Sequence, residues 1–224
     1  MGTYDHFVNA DLASVGALLA VPARAKVLLA LGDGRSLPAS VLASEAGVSP
    51  PTASHHLARL VDGGLLTVAS RGRHRYYALA GPQVAELLEA VARVAPVQPV
   101  ASLRDGTRAH ALRYARHCYD HLAGRLGVAV SEALVVPRHD GLEVTAAGAG
   151  KLAAIGVDAR TGDSARACLD WTEQRHHVAG RLGRTLLERL LELDWLQRSP
   201  STRALQLTDA GRAALPLELG ITLP

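Results

Sequence analysis

Apolar residues recur at helical spacing in "LASVGALLA" and again in "VPARAKVLLALGDG", which predicts two helices, the second opened by Pro22 and ended by the glycines after Leu31. "SLPASVLASEAGVS" predicts a shorter helix stopped at Gly47. Ser49 then suits an N-cap and Pro50 a first turn, so a fourth helix is expected from Pro50 to about Val61. Helix, glycine turn and helix in that order make a helix-turn-helix pattern. After "DGG" the pattern changes to short apolar runs, "LLTVAS" and "RYYALA", around a polar "RGRH", which predicts a two-stranded wing. "GPQVAELLEAVARVA" is an amphipathic helix, and the two prolines of "PVQPVASLRDG" break the pattern. A first domain is therefore expected over residues 1–95, with a linker over 96–108.

The remainder, 109–224, has a different rhythm. "TRAHALRYARHCYDHLAGRLGVAVSEALVV" is expected as one long helix or a kinked pair, followed by a turn and short strand in "PRHDGLEVT" and a helix in "AAGAGKLAAIGV". Beyond the polar connector "DARTGDSAR", the order helix, hairpin, helix returns. Two internal matches support a duplication: "DHLAGRLG" (120–127) with "HHVAGRLG" (176–183), and "EVTAAGAGKLAAIGV" with "QLTDAGRAALPLELGI". The fold class expected is mainly α with small β-hairpin wings (α+β). A winged helix-turn-helix domain precedes a helical, duplicated and winged-helix-like C-terminal domain of two related units.

Composition narrows the class. With 224 residues and 48% hydrophobic content the chain can bury a real core. Lys and Arg total 24 against 21 acids, a net charge of +3, so any basic partner surface must be local. Two cysteines, Cys118 and Cys168, are too few for a disulfide scaffold and fit a reducing compartment. The start "MGTYDHFVNADL" lacks a basic region leading into an apolar run, and no apolar stretch approaches the ~20 residues of a membrane span. Cytoplasmic location without membrane contact is the expectation.

The charge is local where the wing is predicted: between Gly63 and Ala80 there are three arginines and no acid. A helix that is polar at its front, followed by an arginine-bearing ribbon, suits duplex DNA. The major groove admits one helix, and a flexible ribbon can meet phosphates or the minor groove. Ser49, Thr52, Ser54, His55, His56 and Arg59 are the candidate groove residues, and Arg71, Arg73, His74 and Arg75 the candidate backbone or minor-groove contacts. A surface helix beside a solvated loop would share the charge but not the turn-helix-wing order.

At these residues, "LLAVPARAKVLLAL", "LPASVLASEAGVSPPTASHHLARLVDGGLL" and "SRGRHRYYAL", the chain resembles the winged-helix core of ArsR/SmtB transcriptional repressors, whose recognition helix reads S-x-x-T-x-S-H-H-L-x-x-L. The resemblance covers about residues 10 to 95. It implies a homodimer joined through helices near Ala10–Ala20 and Pro82–Ala95 that reads an inverted-repeat operator in double-stranded DNA. Two departures stand out. Arsenic- and cadmium-sensing members carry a cysteine pair on the third helix, but "PASVLASEAG" has none. Members sensing zinc, nickel or cobalt often carry Asp and His on the last dimer helix, where "PQVAELLEAVARVA" offers only Glu86 and Glu89.

A signal would then enter through the C-terminal half. On a continuous helix His110, Tyr114, His117 and His121 would share one face. The effector or metal candidates are Cys118, Asp120, His121, Cys168, Asp170, Trp171, His176 and His177. Thiolate with imidazole suits a zinc-like ion, the thiols alone suit oxidation sensing, and the two tryptophans, Trp171 and Trp195, suit a pocket for a small organic effector. Solvated histidines and packed cysteines would explain the same residues without any ligand. With only Arg198 and Arg203 around its turn, the C-terminal hairpin is a poor DNA reader.

Catalysis finds little support. "AAGAGKLAAIG" has Thr145 where a phosphate loop needs its first glycine and Leu152 where it needs Ser or Thr. A cysteine hydrolase has no local signature here. The expected function is a dimeric DNA-binding repressor released by an effector, not an enzyme. The alternatives are a thiol- or metal-dependent enzyme with a DNA-binding domain, or a DNA-binding protein without an effector.

Overall fold

The computed structural model describes residues 10–96, 103–200 and 202–222. Chain contacts divide it into two compact units, 1–85 and 86–224.

In the first unit α1 (Leu12–Leu19), α2 (Pro22–Ala30), β1 (Leu37–Pro38), α3 (Ala39–Ala46) and α4 (Pro50–Asp62) lead into the wing strands β2 (Leu66–Arg71) and β3 (His74–Leu79). Gly47 ends α3 in the left-handed conformation (φ +71°), which a glycine adopts without steric cost. Ser49 caps α4, its hydroxyl accepting from the Thr52 amide at 3.4 Å and lying 2.8 Å from the Thr52 hydroxyl. Ala53, Leu57 and Leu60 follow at helical spacing and are buried, as are Val27, Leu28, Leu31 and Leu42 from the preceding helices. The sheet order is β1-β3-β2, all antiparallel, and Arg71 faces His74 across a two-residue turn. The last helix of this region, α5 (Pro82–Val94), starts in the first unit and continues into the second.

The second unit corrects the expected long helix. α6 (Leu103–Tyr114) ends at Tyr114, and the next residues form a hairpin, β4 (Arg116–Cys118) and β5 (His121–Ala123), before α7 (Gly124–Leu134) begins. His110 and Tyr114 therefore do not share a helix face with His117 and His121. The cause is tertiary: the His117 amide donates to the Arg203 carbonyl at 2.9 Å and the Leu205 amide to the Ala115 carbonyl at 2.9 Å. Long-range strand pairing overrides a helical apolar pattern. The expected 96–108 linker is likewise helical over 103–108, and residues 97–102 lie outside the described set.

The chain continues through β6 (Val135–Arg138), β7 (Gly141–Val144), α8 (Ala146–Ala154), β8 (Ser164–Leu169), β9 (His176–Ala179), α9 (Gly180–Glu192), β10 (Leu196–Arg198), β11 (Leu205–Leu207) and α10 (Asp209–Ala214), closing with a π-helical turn (Leu215–Leu219). Each half of this unit thus runs hairpin, helix, hairpin, helix, with β6-β7-β8-β9 as one antiparallel sheet. Equivalent glycines mark the duplication. A Cβ on Gly127 would lie 2.7 Å from the Leu122 carbonyl oxygen, and one on Gly183 would lie 2.4 Å from that of Val178. Only glycine lets each helix approach its hairpin so closely. Thr145 and Thr208 cap α8 and α10 in the same way, accepting from the amides of Gly148 and Gly211. Among the described residues no single helix is long and apolar enough to cross a membrane.

Candidate functional site

Burying Ala53, Leu57 and Leu60 forces the other face of α4 outward. Ser49, Thr52, Ser54, His55 and Arg59 are exposed on it, and His56 is half-buried. Ser49 and Thr52 are engaged with each other at the cap, and Ser54 donates to the Pro50 carbonyl at 3.0 Å. On the wing Arg71, Arg73, His74 and Arg75 are all exposed. Arg71 lies 5.4 Å from the Tyr76 ring centre, a cation–π contact that holds the strand end, while the Arg73 Nε donates to His74 at 3.3 Å. Ser54 and Ala58 of α4 and Arg73, His74 and Arg75 of the wing line one groove of about 520 Å³. Asp62 of α4 and Val68 and Tyr77 of the wing strands border the same groove.

The second cluster lies in the 86–224 unit. In β4–β5 Cys118 is the register partner of His121, and in β8–β9 Cys168 is the partner of His177. The ligand atoms of these four residues all lie within 4.8 Å of one another. The two sulfurs are 3.9 Å apart and the two Nε2 atoms 3.1 Å apart. Cys118, His121 and His177 are buried and Cys168 is half-buried.

Carboxylates stand behind both imidazoles. His121 Nδ1 is 3.0 Å from Asp120, itself bound by Arg184 at 2.8 Å; His177 Nδ1 is 3.5 Å from Asp170. Asp170 also accepts from the Gly124 amide at 2.7 Å and from Thr172, and pairs with Arg116 at 3.1 Å. Arg116 is fully buried, stacks 5.1 Å from the Trp171 ring centre, and reaches Glu89 of α5 at 3.5 Å. Glu89 is held in turn by Arg203 at 3.1 Å. Arg203 is thus used inside the unit.

These contacts perturb the titrating groups. The Cys168 hydrogen bond and burial push the Cys118 thiol well above its usual range, and the same bond lowers Cys168. Burial disfavours a charge on His121, but its hydrogen bonds to Asp120 and Cys118 raise it to about 9. Burial and the neighbouring His121 charge lower His177. Burial alone would raise Asp170, yet the Arg116 charge and the Thr172 and Gly124 hydrogen bonds hold it well below the carboxylate range.

Of the residues singled out from sequence in this half, Cys118, His121, Cys168 and His177 come together, and Asp120 and Asp170 stand behind them. His176 is exposed at the start of β9, outside the cluster. Trp171 packs on Arg116, and Trp195 belongs to the core. Arg116 and its bonds to Glu89 and Asp170 were missed. A signal for them exists: "RHCYD" (116–120) matches "RACLD" (166–170), extending the repeat upstream so that each copy reads R-x-C-x-D, then His, an apolar residue, and A-G-R-L-G. Six residues, 171–176, inserted between Asp and His in the second copy hide it.

The fold and face of the first unit define a winged helix-turn-helix DNA-binding protein. A family model described as a helix-turn-helix domain matches residues 18–69. The chain is 40% identical over 226 residues to the HTH-type transcriptional regulator YdfF of Bacillus subtilis (strain 168), covering 96% of this chain and 100% of that protein. It belongs to the HTH-type transcriptional regulators. It is also 37% identical over 97 residues to the regulator CmtR of Mycobacterium tuberculosis (strain ATCC 25618 / H37Rv), covering 42% of this chain and 81% of that one. Among solved structures it is similar to the homodimeric winged helix-turn-helix domain Mb0332 of Mycobacterium bovis, at 31% identity and a TM-score of 0.35 over 41% of this chain and 83% of that one.

Proposed function

We propose that this transcriptional regulator is a cytoplasmic homodimeric repressor that reads an inverted-repeat operator and is released by a signal entering through its 86–224 unit. The observation that carries the reading is the exposure of the polar face of α4, with Ser49, Thr52, Ser54, His55 and Arg59, beside an acid-free wing whose Arg71, Arg73 and Arg75 are all exposed, with Ser54 and the Arg73–Arg75 segment bordering one groove. In a two-fold dimer each α4 enters a major groove, with Ser49, Thr52, Ser54, His55, His56 and Arg59 toward base edges and Arg71, Arg73, His74 and Arg75 toward phosphates or the minor groove. Dimerisation is supported by α1, "LASVGALL", which buries only Leu18 and leaves Leu12 72% exposed. An apolar helix this open favours a second copy across it.

A binding titration of the full chain on DNA from upstream of its own gene, with footprinting, tests this. The expected result is protection of two half-sites related by inversion, their centres about 10–10.5 base pairs or a multiple apart. An Arg59→Ala, His55→Ala variant should lose operator preference while retaining nonspecific binding. Binding that shows no preference over unrelated DNA at matched salt refutes the operator reading.

A further inference from the structure

We infer that Cys118, His121, Cys168 and His177 form a closed, four-coordinate site for a zinc-class divalent cation, one Cys and one His from each copy of the internal repeat. The inference goes beyond operator reading and does not depend on it.

Geometry is the first support. Around one tetrahedral ion, zinc–sulfur bonds of about 2.3 Å and zinc–nitrogen bonds of about 2.0 Å separate two sulfurs by about 3.8 Å and two nitrogens by about 3.3 Å. The observed separations are 3.9 Å and 3.1 Å. The second support is the orientation of the imidazoles. His121 Nδ1 lies at hydrogen-bonding distance, 3.0 Å, from Asp120 and so is set to donate there, while His177 Nδ1 lies 3.5 Å from Asp170 without a hydrogen bond; in both rings it is Nε2 that meets the other imidazole, at 3.1 Å. Two inward lone pairs 3.1 Å apart repel unless a cation or proton lies between them. Charge balance is the third. Two thiolates neutralise a divalent ion, and the surrounding acids have their own partners in Arg184, Arg116 and Arg203. A buried site then carries no net charge.

All four positions are filled by protein, which is the arrangement of a structural centre and leaves no open position for substrate. Paired thiolates with paired imidazoles select zinc and its tetrahedral analogue cobalt(II) over magnesium or calcium. The ion would join β4–β5 to β8–β9, at equivalent positions of the two repeats.

The full chain, reduced and stripped of metal, is titrated with cobalt(II) under anaerobic conditions. One equivalent should produce the intense visible bands of tetrahedral cobalt and a near-ultraviolet sulfur-to-cobalt charge-transfer band, and zinc should displace both. Cys118→Ser and Cys168→Ser should each weaken the charge-transfer band. Asp120→Asn should weaken affinity roughly 10- to 100-fold with the bands unchanged in shape. His176→Ala, next to a ligand but exposed, should bind as the parent does. Unaltered protein with both thiols reduced that takes up no stoichiometric cobalt or zinc overturns the inference, whatever the variants do. So does a cobalt spectrum of octahedral type, or equal loss in His176→Ala and His177→Ala.

Discussion

Replacing Arg116 with Met isolates the buried ionic centre of the 86–224 unit. The guanidinium lies 3.1 Å from Asp170 and 3.5 Å from Glu89 with no solvent exposure, and methionine keeps most of its length without its charge. Glu89 would retain Arg203 at 3.1 Å, so the acid left uncompensated is Asp170. That carboxylate would keep the amide of Gly124 and the hydroxyl of Thr172, which satisfy its lone pairs but not its charge. Removing one partner of a buried pair costs about 3–5 kcal/mol, a large share of the roughly 5–15 kcal/mol that holds a domain together. The stacking of Arg116 on Trp171 adds about 0.5–2 kcal/mol. Both tryptophans, Trp171 and Trp195, lie in this unit, so their fluorescence during urea unfolding of the full chain reports its stability alone. The double variant Arg116→Met, Asp170→Asn should lose less than the sum of its single losses, because neither charge is then stranded. A single-variant loss under about 1 kcal/mol, or strict additivity of the pair, would refute the claim that a buried charge network organises the unit.

Other outcomes follow from single contacts. Arg73→Ala with Arg75→Ala should flatten the dependence of log affinity on log salt by about 0.9 per lost phosphate contact, so about 3 to 4 for the four arginines of a dimer, and should do so equally on operator and random DNA. Ser49→Ala removes the α4 cap and should destabilise the first unit by about 0.5–1 kcal/mol, measured by circular dichroism, because the 3.4 Å bond is a long one. Gly183→Ala sets a methyl 2.4 Å from the Val178 carbonyl and 3.1 Å from the His121 Cβ, and should cost about 1–3 kcal/mol with weakened cobalt binding. Gly150→Ala, where nothing lies within 4 Å, should instead stabilise α8 by about 0.5–1 kcal/mol; destabilisation there would count against the fold of the first repeat.

The first unit was legible in sequence because its information is local. Helical spacing, the Ser49 cap, the Gly47 stop and the arginine cluster of the wing each act within a few residues, and the observed α4, Pro50–Asp62, differs from expectation by one residue. The duplication and the residue types of the cysteine-histidine cluster were legible as well. Their arrangement was not. A helical pattern across 107–136 hides a hairpin whose formation depends on bonds from His117 and Leu205 to partners some ninety residues away. Cys118 meets Cys168, and His121 meets His177, only after two copies of a repeat fold against each other, and the insertion in the second copy conceals their equivalence. Arg116 shows the same limit: as one arginine among many it signals nothing until Asp170, Glu89 and Trp171 close around it. Sequence alone determined the elements and the chemistry available to them, because propensity, capping and charge are short-range. Only the tertiary structure decided which distant side chains share a site, because burial and long-range pairing outweigh local preference.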